Sequence, residues 1–484
     1  MSEATHLNVL IVGAGLSGID AAVHVSRAFP AKSYAVLEQR GELGGTWSLF
    51  QYPGIRSDSD MYTLGFGFRP WDGENAIADG ADILCYLRET AAKYGVDQRI
   101  RYHHRATRFS WSTDEKCWTV AIEHVDTGET STLTCDFLFS TSGYYDYDHG
   151  YTPDWPGLDA YRGTLVHPQH WPKDLDYTGK RVVVIGSGAT AVTLIPSMAR
   201  ETAHITMLQR TPTYIVSQPR KDPFAKVLNK ILPGKLAAKV IHARYAAVTI
   251  GFYEFCRRNP KTARALLERW AKVHLPDGFD YAKHLRPPYD PWDQRLCVVP
   301  GADLFKAIHS HKVDIVTDII ERFTTNGVAL TSGRELEADI VVTATGLEVV
   351  PMGKAEFYVD GEQIELGNTF TYKAMMLSDV PNFAFVIGYS NASWTLKADL
   401  VCEYVTRLLD YMDQHNLKVV VPRLAEGLEP KPLLDLTSGY LQRAAGKLPV
   451  AGDRDPWRLK HNWYFDKKAL RNSRIDDGVV AFSE

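Results

Sequence analysis

Cysteine is scarce in this 484-residue chain: Cys85, Cys117, Cys135, Cys256, Cys297 and Cys402 are the only six, and no two form a C-x-x-C pair. That excludes a disulfide-stapled scaffold and a dithiol redox centre, gives no zinc site, and points to a reducing cytoplasm. Charge of one sign is lacking too. Lys+Arg number 54 and Asp+Glu 58, a net charge of −4, which argues against nucleic acid as the main partner. His103, His104 and His170 have no partner at metal-ligand spacing, so no metal is expected. Two uncharged runs fall short of being targeting segments. Residues 7–19 follow Glu3 and no Lys or Arg, so the positive flank of a signal peptide is missing. Residues 182–199 are interrupted by Gly186, Gly188 and Pro196 and read as strand–turn–helix rather than a membrane span.

What remains is an ordinary globular composition, 45% apolar and 23% charged, with length for about three domains. The pattern predicts a strand over 7–12, a turn through 13–18, a helix to about 27 and a second strand over 34–37. The same order returns 173 residues later: strand 181–185, turn 186–191, helix to about 200, strand 205–208. A solenoid repeat is far shorter, so two nucleotide-binding domains are the simpler reading.

Gly13-x-Gly15-x-x-Gly18 lies between strand and helix, where such a turn holds a pyrophosphate. The first glycine permits the tight turn, the second lets phosphate approach the backbone, and the third lets helix and strand pack closely. Glu38 ends the second strand, placed to accept hydrogen bonds from ribose hydroxyls. The second cradle is Gly186-x-Gly188-x-x-Ala191, and the corresponding strand end carries Arg210, followed by Thr211. A carboxylate there repels a 2′-phosphate, whereas a guanidinium binds it bidentately. The first site is therefore expected to take FAD and the second to prefer NADPH over NADH; the plainer alternative for Arg210 is a surface salt bridge. Two dinucleotides on one chain imply hydride transfer between them. Without a cysteine pair to receive the electrons, oxygen is the expected acceptor.

The expected architecture is α/β, with two Rossmann-like domains and a helical insertion. Its parts are 1–145 (FAD domain, first part), 146–219 (NADPH domain, first part), 220–286 (insertion), 287–350 (NADPH domain, return) and 351–484 (FAD domain, return, with the C-terminal segment). A Pro/Gly/Tyr-rich linker is expected at 143–156 and a helix over 396–415; the polar tail beyond gives little to read. The insertion holds fifteen Lys/Arg against five Asp/Glu. It reads as a solvated helical unit, with a peripheral membrane or acidic-partner face as the alternative.

Tyr161, Gly163, His167, Trp171 and Pro172 fall in a segment similar to the FxGxxxHxxxW(P/D) fingerprint of Baeyer–Villiger monooxygenases, with Tyr161 in place of Phe. Gly44-Gly45-Thr46-Trp47, the segment 52–60, Trp292-Asp293-Gln294-Arg295 and Ala344-Thr345-Gly346 agree with that family. The wording of 57–66 and 167–171 resembles its ethionamide-activating branch, whose members oxidise ketones and thioamide sulfur. Trp171-Pro172 sets the chain apart from flavin-containing oxygenases that act on nitrogen and sulfur only.

The resemblance implies that Arg295 stabilises a flavin C4a-peroxide, that Asp58 positions Arg295, and that Arg210 grips the NADPH 2′-phosphate. It assigns His167 to domain motion. Gln294 replaces a lysine that helps hold this phosphate in many relatives, which implies a weaker NADPH preference. Thr46 and Trp47 are expected beside the flavin; Trp394 reads equally as pocket wall or helix-capping core residue.

The chemistry expected is insertion of oxygen beside a ketone carbonyl, with sulfur oxidation as a companion activity. A heteroatom-only oxygenase is the alternative within enzymes, and a non-catalytic FAD/NADP(H) redox sensor the alternative outside them. The partners implied are a small ketone or sulfur compound and O2; the sequence leaves oligomeric state open.

Overall fold

The computed structural model describes residues 5–434 and 436–484. Two sheets organise it. The first has nine strands, and its parallel half is Ile100–Arg101, Tyr34–Leu37, Thr5–Val12 and Thr130–Ser140, with Phe383–Phe385 also pairing on Thr130–Ser140. Thr130–Ser140 is eleven residues long and has two further partners besides Thr5–Val12. Its early residues pair antiparallel with Cys117–His124, while 138–140 pair parallel with Phe383–Phe385. Cys117–His124 in turn pairs with His104–Ser112, and Glu356–Val359 and Glu362–Gln363 complete that edge. In Thr5–Val12 Val9, Leu10 and Ile11 are wholly buried, as a central strand covered on both faces requires.

The second sheet is entirely parallel, in the order Val313–Thr317, His204–Gln209, Arg181–Ile185, Ile340–Thr343, Thr164–Val166. The uncharged run 182–199 is thus a strand, a turn and the helix Ala189–Met198. No helix among the described residues is long and apolar enough to cross a membrane. The helices Pro223–Ile231, Gly234–Arg258, Pro260–Val273 and Tyr281–His284 leave and return through paired strands, Ile215–Gln218 and Cys297–Pro300.

Two sequence readings need amendment. The stretch expected as a linker contains a strand, Tyr145–Gly150, paired antiparallel with Leu347–Val349. Its tyrosines favour extended backbone, and its partner lies some 200 residues on, out of view of any local pattern. The tail also has structure. Helix Trp463–Asn472 packs on Thr395–Gln414, where Lys397, 2% exposed, meets Asp466 at 3.0 Å, and Val480–Ser483 pairs with Val419–Pro422.

Between the helices Leu16–Ala28 and Thr395–Gln414 sit two carboxyls, Asp20 and Asp399. Asp20 is fully buried with His24 Nε2 3.4 Å away, and the donor that favours its charged form is the weak Cys402 thiol. Burial first, then the neighbouring Asp399, raises the Asp20 pKa; burial raises that of Asp399 as well. His24 is held neutral, its pKa lowered by burial to about 4. Raised carboxyl pKa values mean the folded state prefers the protonated form. This contribution is fully present below the unfolded carboxyl pKa of about 4 and is lost as pH rises through the folded values. Asp20→Asn should therefore be more stable than the parent at pH 8 by chemical denaturation at equal cofactor loading. The difference should shrink toward pH 4.

Candidate active site

The first cradle follows from what a side chain would strike. Gly13 has φ +104°, and a Cβ there would lie 2.7 Å from the Thr141 carbonyl oxygen; at Gly18 it would lie 1.8 Å from the Gly13 oxygen. Gly15 is the N-cap of helix Leu16–Ala28 and supplies no side-chain cap, so the first N–H groups stay available to an anion. Glu38 is 4% exposed; its Oε2 accepts from the Ala14 N–H at 2.9 Å and its Oε1 from the Arg40 N–H at 3.0 Å. Burial raises its pKa against the pull of these bonds.

A cavity of about 440 Å³ opens over this cradle. Its wall brings together Gly13, Gly15, Glu38, Thr46, Trp47, Asp58 and Arg295, while Gly18 packs behind it. Trp394 lines the cavity, precedes helix Thr395–Gln414 without a side-chain cap, and donates from Nε1 to Ser17 Oγ at 2.7 Å.

Arg295 donates from one terminal nitrogen to Asp58 Oδ1 at 2.9 Å. The two side chains are 37% and 28% exposed because they face the cavity. Asp58 is the main cause of a raised Arg295 pKa, opposed by desolvation, so the guanidinium stays cationic. Among the described residues no second acceptor meets it, which leaves most of its five donors free. Its loop is braced from outside. Trp292, at φ +73°, packs edge-on to Tyr253; Asp293 pairs with Arg257 at 2.8 Å; and the Asp293 carbonyl accepts from Thr437 N–H and Oγ1 at 2.8 and 3.0 Å. On the other side the Ser57 N–H donates to the Ala78 carbonyl, and Arg56 pairs with Asp303.

Sequence reasoning missed Tyr144 and Tyr145. Both line the cavity, their hydroxyls lie 3.0 Å apart, and Tyr144 stacks on Trp394 at 5.5 Å. Burial raises both phenol pKa values, while Arg295 works in the opposite direction. The available signal was position, just after the carboxyl end of a parallel strand beside the cradle strand.

The second cradle lies outside this cavity, so Gly186, Gly188, Ala191, Arg210 and Thr211 are not in its wall. Gly186 has φ +132°, and a Cβ would meet the Ala344 oxygen at 2.2 Å. At Gly188 a Cβ would meet nothing within 4 Å. Ala191 is fully buried, and Gly188 caps helix Ala189–Met198 without a side chain. Arg210 is exposed and has no ion-pair or hydrogen-bond partner among the described residues. The Thr211 carbonyl accepts from Ser187 Oγ at 2.9 Å. Both cradles thus fit a dinucleotide pyrophosphate by their uncapped helix starts, and in the second Gly188 also faces open space. Past the ends of the paired strands Thr164–Val166 and Ile340–Thr343, His167 Nε2 lies 3.2 Å from the Gly346 carbonyl oxygen, and before them Tyr161 Oη donates to the Ala338 carbonyl at 3.0 Å.

A family profile described as flavin-binding monooxygenase-like matches residues 72–375, and one described as an NAD(P)-binding Rossmann-like domain matches residues 11–72. The chain belongs to the flavin-binding monooxygenase-like family. This flavin monooxygenase is 52% identical over 481 residues to the FAD-containing monooxygenase EthA of Mycobacterium tuberculosis, covering 99% of this chain and 98% of the relative. It is 46% identical to the probable FAD-binding monooxygenase AlmA of Acinetobacter baylyi, covering 99% and 96%. Among solved structures, an oxidized steroid monooxygenase bound to NADP matches with TM-score 0.78 and 22% identity, covering 99% of this chain and all of that one. OTEMO in complex with FAD and NADP matches with TM-score 0.76 and 19% identity over the same shares. At such identities the likeness is one of fold. The expected two-Rossmann α/β architecture and flavin monooxygenase class are both met.

The two cradle glycines separate folding from binding. Gly186→Ala should lower the thermal midpoint, because its methyl meets backbone. Gly188→Val should lower the midpoint less, because its side chain meets open space, yet raise the KM for the dinucleotide bound at this cradle about tenfold or more, by closing the approach to the helix start.

Proposed function

We propose that this flavin monooxygenase is an FAD-containing, NADPH-dependent Baeyer–Villiger enzyme that converts ketones to esters or lactones and also oxidises sulfur. In balance, ketone, O2, NADPH and a proton give ester, NADP+ and water. The observation that carries the reading is Arg295, held by Asp58 in the wall of the cavity that contains the first cradle.

FAD, when bound, supplies the electron relay from NADPH to O2. The first cradle and Glu38 would hold it, with Thr46 and Trp47 beside it. Gly186, Gly188 and Ala191 would hold NADPH, and Arg210 its 2′-phosphate, which a free guanidinium suits. This assigns FAD to the first sheet and NADPH to the second, and leaves 220–286 as an insertion in the latter.

Arg295 stabilises negative charge developing on oxygen, with donors already oriented and a counter-ion that stops it swinging away. Tyr144 and Tyr145 stay protonated beside it, so each adds a neutral hydroxyl at Oη rather than a competing anion. With the charge retained on oxygen the attack falls on a carbonyl carbon; sulfur takes oxygen when the charge is neutralised by a proton.

Arg295→Ala should still be reduced by NADPH in a stopped-flow trace at the parent rate, yet form no ester from a ketone panel. Ester formation at the parent rate would refute the role given to Arg295. Parallel product analysis with a ketone and a thioether separates this reading from a heteroatom-only oxygenase, which yields sulfoxide alone. Arg210→Ala should raise the NADPH KM and leave that for NADH unchanged, a selective loss of about 1–3 kcal/mol.

A further inference from the structure

The helical insertion presents a surface that the proposed chemistry does not use. Helix Pro223–Ile231 buries Ala225 and Leu228 but leaves Phe224, Val227 and Ile231 at 44%, 54% and 68% exposure. These recur at i, i+3 and i+7, one stripe along a helix. Past a turn at 232–233, helix Gly234–Arg258 continues with Leu236 and Val240 exposed. Scattered apolar residues on a surface are ordinary; five around one turn form a feature.

Charge distinguishes it further. Lys226, Lys230, Lys235 and Lys239 are interleaved with the apolar positions, and all four are exposed. None has an ion-pair partner among the described residues. The adjacent acids are engaged: Asp222 by Arg244, and Glu74 by Lys221. From residue 223 to residue 253 the chain has no Asp or Glu at all.

We infer that this hairpin docks the enzyme on the surface of an anionic lipid bilayer, with the apolar stripe at the headgroup–acyl boundary and the lysines on lipid phosphates. A membrane surface supplies diffuse negative charge and apolar depth over a whole plane, which matches lysines interleaved with apolar residues on both arms of a hairpin. An acidic protein would have to repeat that alternation in register. The contact is peripheral, since no helix among the described residues is long and apolar enough to cross. Helix Gly234–Arg258 is about 37 Å long by its 25 residues. Its far end braces the Arg295 loop through Tyr253 against Trp292 and Arg257 on Asp293. One rigid element therefore joins the docking face to the cavity.

Sedimentation of the FAD-loaded holoenzyme with vesicles tests this without reading oxygenation, so it stands or falls separately from the proposed activity. The enzyme should pellet with vesicles of phosphatidylcholine containing about one-third phosphatidylglycerol, remain in solution with phosphatidylcholine alone, and be released at about 1 M salt, where the Debye length is about 3 Å. A Val227→Glu/Ile231→Glu double variant and a variant with all four lysines changed to Gln should each bind about tenfold less. Both should oxidise NADPH at the parent rate, because the changed side chains are exposed. Absence of binding to the anionic vesicles, equal binding to neutral ones, or parent-like binding by both variants would overturn the inference. Retention on immobilised polyglutamate without vesicle binding would also overturn it, marking the face as one for an acidic protein.

Discussion

The hydrogen bond between Arg295 and Asp58 joins residues 237 positions apart, and the geometry of the cavity depends on it. Neither residue lies on a regular element. Asp58 is fixed by its neighbours, through the Ser57 N–H on Ala78 and the Arg56–Asp303 pair. Arg295 is fixed by a loop clamped between the long insertion helix and the Thr437 segment. Asp303 begins helix Asp303–His309, which packs on the helix Ala189–Met198 and the strand Val313–Thr317, so the Arg56–Asp303 pair ties the Asp58 segment to the second sheet.

The two cradles share a backbone plan and differ in their setting. In the first, a nearly buried Glu38 is tied to the turn itself through the Ala14 N–H, and the whole lies inside a cavity. In the second, Gly188 faces open space and Arg210 is exposed and unpaired among the described residues. Under the proposed assignment this is the difference between a cofactor that stays and one that exchanges. An enclosed site with buried polar partners releases slowly, whereas an open groove with a solvent-facing cation favours rapid encounter.

Local geometry was legible in the sequence, and distant pairing was not. Gly13, Gly18 and Gly186 could be read because a Cβ at each would collide with backbone, a constraint that leaves a mark at fixed spacing. Glu38 and Arg210 could be read because each ends the strand after a cradle helix. Asp58 and Arg295 carried no such periodic signal; only family resemblance singled them out. Tyr144 and Tyr145 were hidden in a Gly/Tyr-rich stretch whose strand partner comes about 200 residues later. The tail looked uninformative because its apolar anchors, Trp457, Trp463, Leu470 and Ile475, are spread thinly among charged residues, and because Lys397 and Asp466 pair in the interior, where hydropathy patterning does not point.

The charge balance around Arg295 explains why a pair serves better than a lone cation. A guanidinium without a counter-ion, walled by Tyr144, Tyr145 and Trp394, would carry a large desolvation cost. Asp58 offsets that cost, but it occupies Arg295 through a single bond on one side. The pair is neutral from afar and a dipole from within the cavity, with its positive end presenting unused N–H donors. The neighbouring phenols do not cancel it, since burial keeps them protonated. Negative charge appearing on oxygen in that space therefore meets donors already in position, and little reorganisation is needed as it forms. A bidentate Arg–Asp arrangement would be a stronger ion pair and a weaker site, because it would consume the donors on which the chemistry relies.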